Sequence, residues 1–138
     1  PTPSSAASDV YKRQLLVEGQ GSLCHPASTA TLPLLRGTQP TALLLVHRAA
    51  QQTIDRLPQI PLPSLEALVA TTETLASWAR PDGAGEPARV AAVALNTARL
   101  DEAQAREEVE RICQTLDLPC TDPIRWGAEP LLEALLNY

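Results

Sequence analysis

Thr41-Ala42-Leu43-Leu44-Leu45-Val46-His47 is a continuous apolar run, bounded by Pro40 before it and Arg48 after it. A run of this length without polar alternation suits a strand buried on both faces, which is the environment of a parallel sheet. A second run of the same kind, Arg89 to Leu95, carries Val90-Ala91-Ala92-Val93-Ala94-Leu95 and ends at Asn96-Thr97. Between and after these runs the spacing changes to that of helices. From Leu65 the apolar residues recur at Leu68, Val69, Leu75, Trp78 and Ala79, with Ser64 placed to cap the helix and Pro81 and Gly83 to end it.

Asp101 opens a further helix with Ala105, Val109, Ile112, Cys113 and Leu116 on one face. Its other face is acidic, with Glu107 and Arg111 spaced for an i,i+4 pair, and reads as a solvated surface. Pro119-Cys120-Thr121-Asp122 reads as a short edge-like strand, and Leu131, Leu132, Leu135 and Leu136 mark a last helix. Toward the start, Thr29 to Leu35 reads as a short helix closed by Gly37, and Leu15-Leu16-Val17 as the end of a strand running into the turn Glu18-Gly19-Gln20-Gly21-Ser22. Residues 51–63 hold Pro58, Pro61 and Pro63 and read as an extended loop. Strands alternating with helices define an α/β parallel sheet.

The chain has 138 residues, of which 44% are hydrophobic and 20% charged, with a net charge of -5. That is about one soluble globular domain. The acidic balance and the lack of a basic patch argue against nucleic acid or an anionic membrane as partner. No apolar run approaches the roughly 20 residues of a spanning helix, and no signal-peptide pattern opens the chain, so a cytoplasmic location is expected. There is no Met, and the single lysine, Lys12, lies in residues 1–14. That stretch resembles translated adapter sequence found at the broken ends of metagenomic reading frames. It is set aside as a non-native, disordered leader, which leaves residues 15–138 as part of a longer α/β domain.

In such sheets ligands bind beyond the carboxyl ends of the strands. Glu18 at a strand tip, followed by glycines, suits a Mg²⁺ held against phosphates, or equally a carboxylate that caps a turn. Asn96 has the donor and acceptor needed to read a purine edge, and is also a common turn residue. His25 is a candidate base or a phosphate or substrate contact. The cysteines Cys24, Cys113 and Cys120 lack the paired spacing of zinc ligands, and their odd number suits a reducing compartment. Trp78 and Trp126 read as core or interface residues, although Trp126 could also flank a base.

The run Val17-Glu18-Gly19-Gln20-Gly21-Ser22-Leu23-Cys24-His25-Pro26 resembles the C-terminal P-loop domain of the DgcN-like D-glutamate N-acetyltransferase family, once known only as a domain of unknown function. The likeness continues through Leu34 to Thr38, Pro40 to His47, Val93 to Thr97 and Pro119 to Gly127, which is nearly all of residues 15–138. It implies a partial parallel-sheet, P-loop NTPase-like domain, also similar to dethiobiotin synthetase. By that resemblance Glu18 is the metal residue, and Gly19, Gln20, Gly21, Ser22, Asn96, Thr97, Asp122 and Arg125 face the nucleotide or acceptor.

The resemblance further implies a small-molecule substrate, acetyl-CoA or ATP with Mg²⁺ in the full-length parent, and a homo-oligomer. The chain departs from the wider P-loop pattern because it holds no G-x-x-x-x-G-K-[ST] motif and no lysine after Lys12. A fragment without that element is expected to bind no cofactor tightly and to be inactive alone. A ligase of the dethiobiotin-synthetase type, or a non-catalytic regulatory or oligomerisation module, are the alternatives.

Overall fold

The computed structural model describes residues 15–19, 21–78 and 80–138. The leader assigned to residues 1–14 lies outside these. Helix α1 spans Thr31–Thr38, followed by β1 (Ala42–Arg48), the two short strands β2 (Thr53–Ile54) and β3 (Leu57–Pro61), and α2 (Leu65–Ala76). Then come β4 (Arg89–Asn96), α3 (Glu102–Leu116), β5 (Cys120–Thr121), the single turn α4 (Pro123–Trp126) and α5 (Glu129–Leu136).

The main sheet has the order β1-β4-β5. Both pairings are parallel, with Leu44 opposite Ala92, Val46 opposite Ala94 and Val93 opposite Cys120. The two apolar runs are therefore neighbours, but only β4 is buried on both faces as its patterning suggests: β1 lies at the edge of the described sheet, and Leu44 and Val46 on one of its faces are exposed, Val46 at 72%. β4 is central and almost wholly buried, from Val90 to Leu95. Its two faces meet different partners because successive side chains alternate. Val93 and Leu95 form one core with Ile112 of α3, joined by Leu45, Leu65 and Val109. Ala92 and Ala94 form the other with Leu131 of α5 and Ala134. Methyl side chains on that face let the helix approach closely.

Helix ends follow local chemistry. The Ser64 hydroxyl accepts from the Ala67 N–H at 3.2 Å and starts α2. Asp101 and Gln104 form a reciprocal capping box at the start of α3. Glu73 of α2 ties that helix to β4, accepting from the Val90 N–H at 2.9 Å and from Arg89 Nη1 at 2.9 Å.

Several expectations are corrected. Residues 51–63 are not a loop, because β2 and β3 pair antiparallel in a separate two-stranded sheet. Pro58 and Pro61 fit there because a strand in a two-stranded ribbon has an edge on which no amide hydrogen is needed. Arg56, at φ 62°, makes the turn. Leu15, Leu16 and Val17 form no strand and are exposed, Leu15 at 87%. No strand of the sheet pairs with them among the described residues, so Glu18 does not stand at a strand tip.

Helix α1 begins two residues later than its spacing suggests and runs through Gly37 to a left-handed Gln39 at φ 47°. Pro33 is accommodated because it falls in the first turn, where an amide hydrogen has no intrahelical partner. Of the two readings of Trp78, core or interface, its 53% exposure excludes the core. Arg111 pairs with Glu108 through two 2.8 Å contacts instead of with Glu107.

Candidate functional site

Two groups of polar residues form where the carboxyl ends of the parallel strands emerge. The first is a network between the ends of β4 and β5. Asp122 is 3% exposed, and one of its oxygens accepts both the Thr97 N–H and the Thr97 hydroxyl. Its other oxygen accepts from the Ile124 N–H at 2.9 Å and the Arg125 N–H at 3.3 Å. Burial pushes this carboxyl up, but the donors from Thr97, Ile124 and Arg125 outweigh it and hold it below the ordinary carboxylate range. Arg125 Nη2 donates to the Leu100 carbonyl at 2.7 Å, and its Nε lies 3.9 Å from Asp122. The loop after β4 is thus fastened to the loop after β5.

Beside this network Asn96 is exposed, and its Oδ1 accepts from the Ala98 N–H at 3.0 Å, the geometry of an Asx turn. Its amide NH₂ has no partner among the described residues and points to no assigned group. Trp126 carries the Arg106 guanidinium over its ring, 4.9 Å from the centroid, so one of its faces is already covered.

The second group lines a cleft of about 660 Å³ at the carboxyl end of β1. Its walls come from the loop around Gly21, Ser22 and His25, from Thr29 and Ala30 at the start of α1, from His47 and Arg48, and from Gln51 and Asp55 beside the hairpin. Gly21 is needed there as glycine. Its φ is 86°, and an added Cβ would collide with Ser28 Oγ, which is bonded to Thr31 Oγ1 at 2.7 Å.

The Ala27 N–H donates to His25 Nδ1 at 3.1 Å, which makes that nitrogen the unprotonated one. His25 Nε2 then carries the proton and donates to the Asp55 carbonyl at 3.3 Å. Both nitrogens are engaged, so His25 pins the loop to the hairpin. Arg48 also lines the cleft, with Nη1 3.6 Å from Asp55 Oδ1. The first turn of α1 has no side-chain cap, so its positive dipole end adds to Arg48 in favouring an anion.

His47 is half-buried, and burial pushes its pKa down while the Glu108 carboxylate partly offsets this. Its ring has no hydrogen-bond partner among the described residues. Spacing does not single out His47; its place as the last but one residue of an apolar strand is the available signal.

The ten residues proposed from sequence are therefore divided. Gly21, Ser22 and His25 line the cleft, while Asn96, Thr97, Asp122 and Arg125 belong to the network. Glu18 and Gly19 are exposed and line neither, and Gln20 lies outside the described residues. No group of three His, Cys, Asp or Glu side chains is placed to hold a metal among the described residues. Glu18 belongs to no such group among the described residues. No helix among them is long and apolar enough to cross a membrane.

The parallel sheet, the strand-end cleft and the helices on both faces define an α/β domain. The chain belongs to the DUF1611 family: its model, described as "Domain of unknown function (DUF1611_C) P-loop domain", matches residues 4–132, a span that holds every residue of the cleft and the network. The chain is similar to a D-glutamate N-acetyltransferase of a Pseudoalteromonas species, 34% identical over 121 residues, and to one of Tritonibacter scottomollicae, 36% identical over the same length. Each match covers 87% of this chain and 35% of the relative, so the chain spans about a third of the length of these relatives. The crystal structure of a DUF1611 family protein from Anabaena variabilis is 49% identical, with a TM-score of 0.80 over 88% of this chain and 34% of that one.

Proposed function

We propose that this chain is part of an N-acetyltransferase that acylates a small amino acid such as D-glutamate, using acetyl-CoA. The observation that carries this reading is the similarity to two relatives of that name within a family match that spans the whole cleft. The cleft's chemistry supports it. Its volume lies in the range of small-molecule sites. Arg48, with one weak partner, offers a fork for an acceptor carboxylate.

Acyl transfer needs the acceptor nitrogen held against the thioester carbonyl and a group to take its proton. Holding the carboxylate at Arg48 sets the amino group at a fixed distance from the cleft's imidazoles. The test is to supply the full-length protein with D-glutamate and either acetyl-CoA or Mg-ATP. Release of free CoA with formation of the N-acetyl product supports the reading, and consumption of ATP alone replaces it with the ligase.

A further inference from the structure

The cleft holds two imidazoles, and they are not equivalent. Both nitrogens of His25 are committed, one to the Ala27 N–H and the other to the Asp55 carbonyl. To act on a proton this ring would first have to release the loop that it pins. His47 has no such commitments. It continues the strand face of Leu45, which is packed with Val93, Leu95 and Ile112, and it reaches the cleft where that core ends.

The surroundings of His47 can be stated from each side. α3 presents Glu108, which also accepts from the Ala50 N–H and pairs with Arg111. Its own strand contributes Arg48, the hairpin Asp55 and the α1 loop His25. Burial favours the neutral ring and Glu108 restrains that shift.

From this arrangement we infer that His47 is the catalytic base of the reaction, accepting the proton that the acceptor's ammonium group must lose before it attacks. The inference rests on the acyltransferase reading above. The ammonium gives one proton to His47, and the amine attacks the thioester carbonyl. A C–N bond forms and the C–S bond breaks, with its electron pair leaving on sulfur. The second proton lost by nitrogen goes to the thiolate, so the products are an amide and a free thiol, and His47 returns its proton to water. His25 is then a positioning residue, which holds the loop over the site.

The experiment uses the full-length enzyme with D-glutamate and acetyl-CoA, measuring kcat and KM from about pH 5 to 9. His47→Gln is expected to lower kcat about 100-fold or more, to change KM for D-glutamate by less than about threefold, and to abolish the acid limb of the kcat/KM profile. His25→Gln is expected to keep that limb whatever its kcat. A folded His47→Gln enzyme with wild-type kcat and an unchanged limb overturns the inference.

If His47→Gln does not fold, Glu108→Gln decides, since removing the charge that raises the imidazole's pKa moves the acid limb to lower pH. An unmoved limb overturns the inference. A wild-type enzyme that releases no CoA with D-glutamate overturns instead the acyltransferase reading, and His47 falls with it.

Discussion

Asp122 and Thr97 are joined twice through a single carboxylate oxygen, which accepts both the backbone N–H and the hydroxyl of Thr97. Two residues far apart in the chain thereby lock the ends of adjacent parallel strands. Replacing Asp122 by Ala leaves the buried N–H and hydroxyl of Thr97 without their acceptor and removes the carboxylate that caps the Ile124 N–H, and is expected to cost about 3 kcal/mol of stability. Urea denaturation of the variant beside the wild type measures this; a loss within experimental error would remove the network from the account of the fold.

The same carboxylate sets an acid dependence. Its folded pKa is depressed below that of the unfolded chain, so its contribution is full above the unfolded value, about 3.9, and is lost as pH falls through the folded one. Asp122→Asn is expected to flatten the decline of stability below about pH 4. Thermal melts taken at successive pH values show the slope, which must be steeper in the wild type.

Gly21 is held at φ 86° against Ser28. Gly21→Ala is expected to destabilise the chain by about 1–3 kcal/mol, from backbone strain together with the collision. Adding Ser28→Ala relieves the collision and leaves the strain, so the double variant regains part of the loss. Full recovery would mean that the backbone carries no strain there.

His25 links the loop to the hairpin through its Nε2 bond to the Asp55 carbonyl, while its Nδ1 accepts from the Ala27 N–H within the loop. His25→Ala is expected to cost about 1 kcal/mol and to speed hydrogen exchange at Ala27 while leaving β4 amides protected. Equal acceleration across β4 would show that the ring supports the whole fold rather than the loop.

The three cysteines are free and half-buried. Burial pushes the Cys120 thiol up to about 12, with Cys113 and Glu108 adding to it. At about pH 8 its thiolate fraction is negligible, so iodoacetamide is expected to leave Cys120 unmodified in the native chain and to reach it after denaturation. Peptide mapping by mass spectrometry reads this directly.

Patterning reveals the position of an uninterrupted apolar run, but not which of its faces is covered: β4 is buried on both, whereas Val46 of β1 is exposed. β1 and β4 are legible because no polar residue interrupts them, and α2 and α3 because Ser64 and Asp101 cap them by local chemistry. The hairpin escapes because Pro58 and Pro61 are read as breakers until it is known that its strands lie in a two-stranded ribbon. Leu15 to Val17 mislead for the opposite reason, since their composition suits a strand but no partner strand lies beside them among the described residues.

At the site, Gly21, Ser22 and His25 are local in sequence and are found together. The separation of Asn96 and Asp122 from that cleft depends on the fold. So does the inequality of His25 and His47, which arises from the Ala27 amide and the Asp55 carbonyl, neither of which has a sequence signature.

Parallel pairing of β1 with β4 also governs the order in which the molecule can assemble. Ala42 meets Arg89 only after the whole crossover, with its hairpin and α2, has been closed into a loop. The β2–β3 ribbon and the capped helices require no such closure and can form early. The cleft takes one wall from β1, one from the α1 loop and one from the hairpin, so it is completed at the end of folding. A chain interrupted before β4 would hold every residue that lines the cleft but lack the strand against which β1 is set.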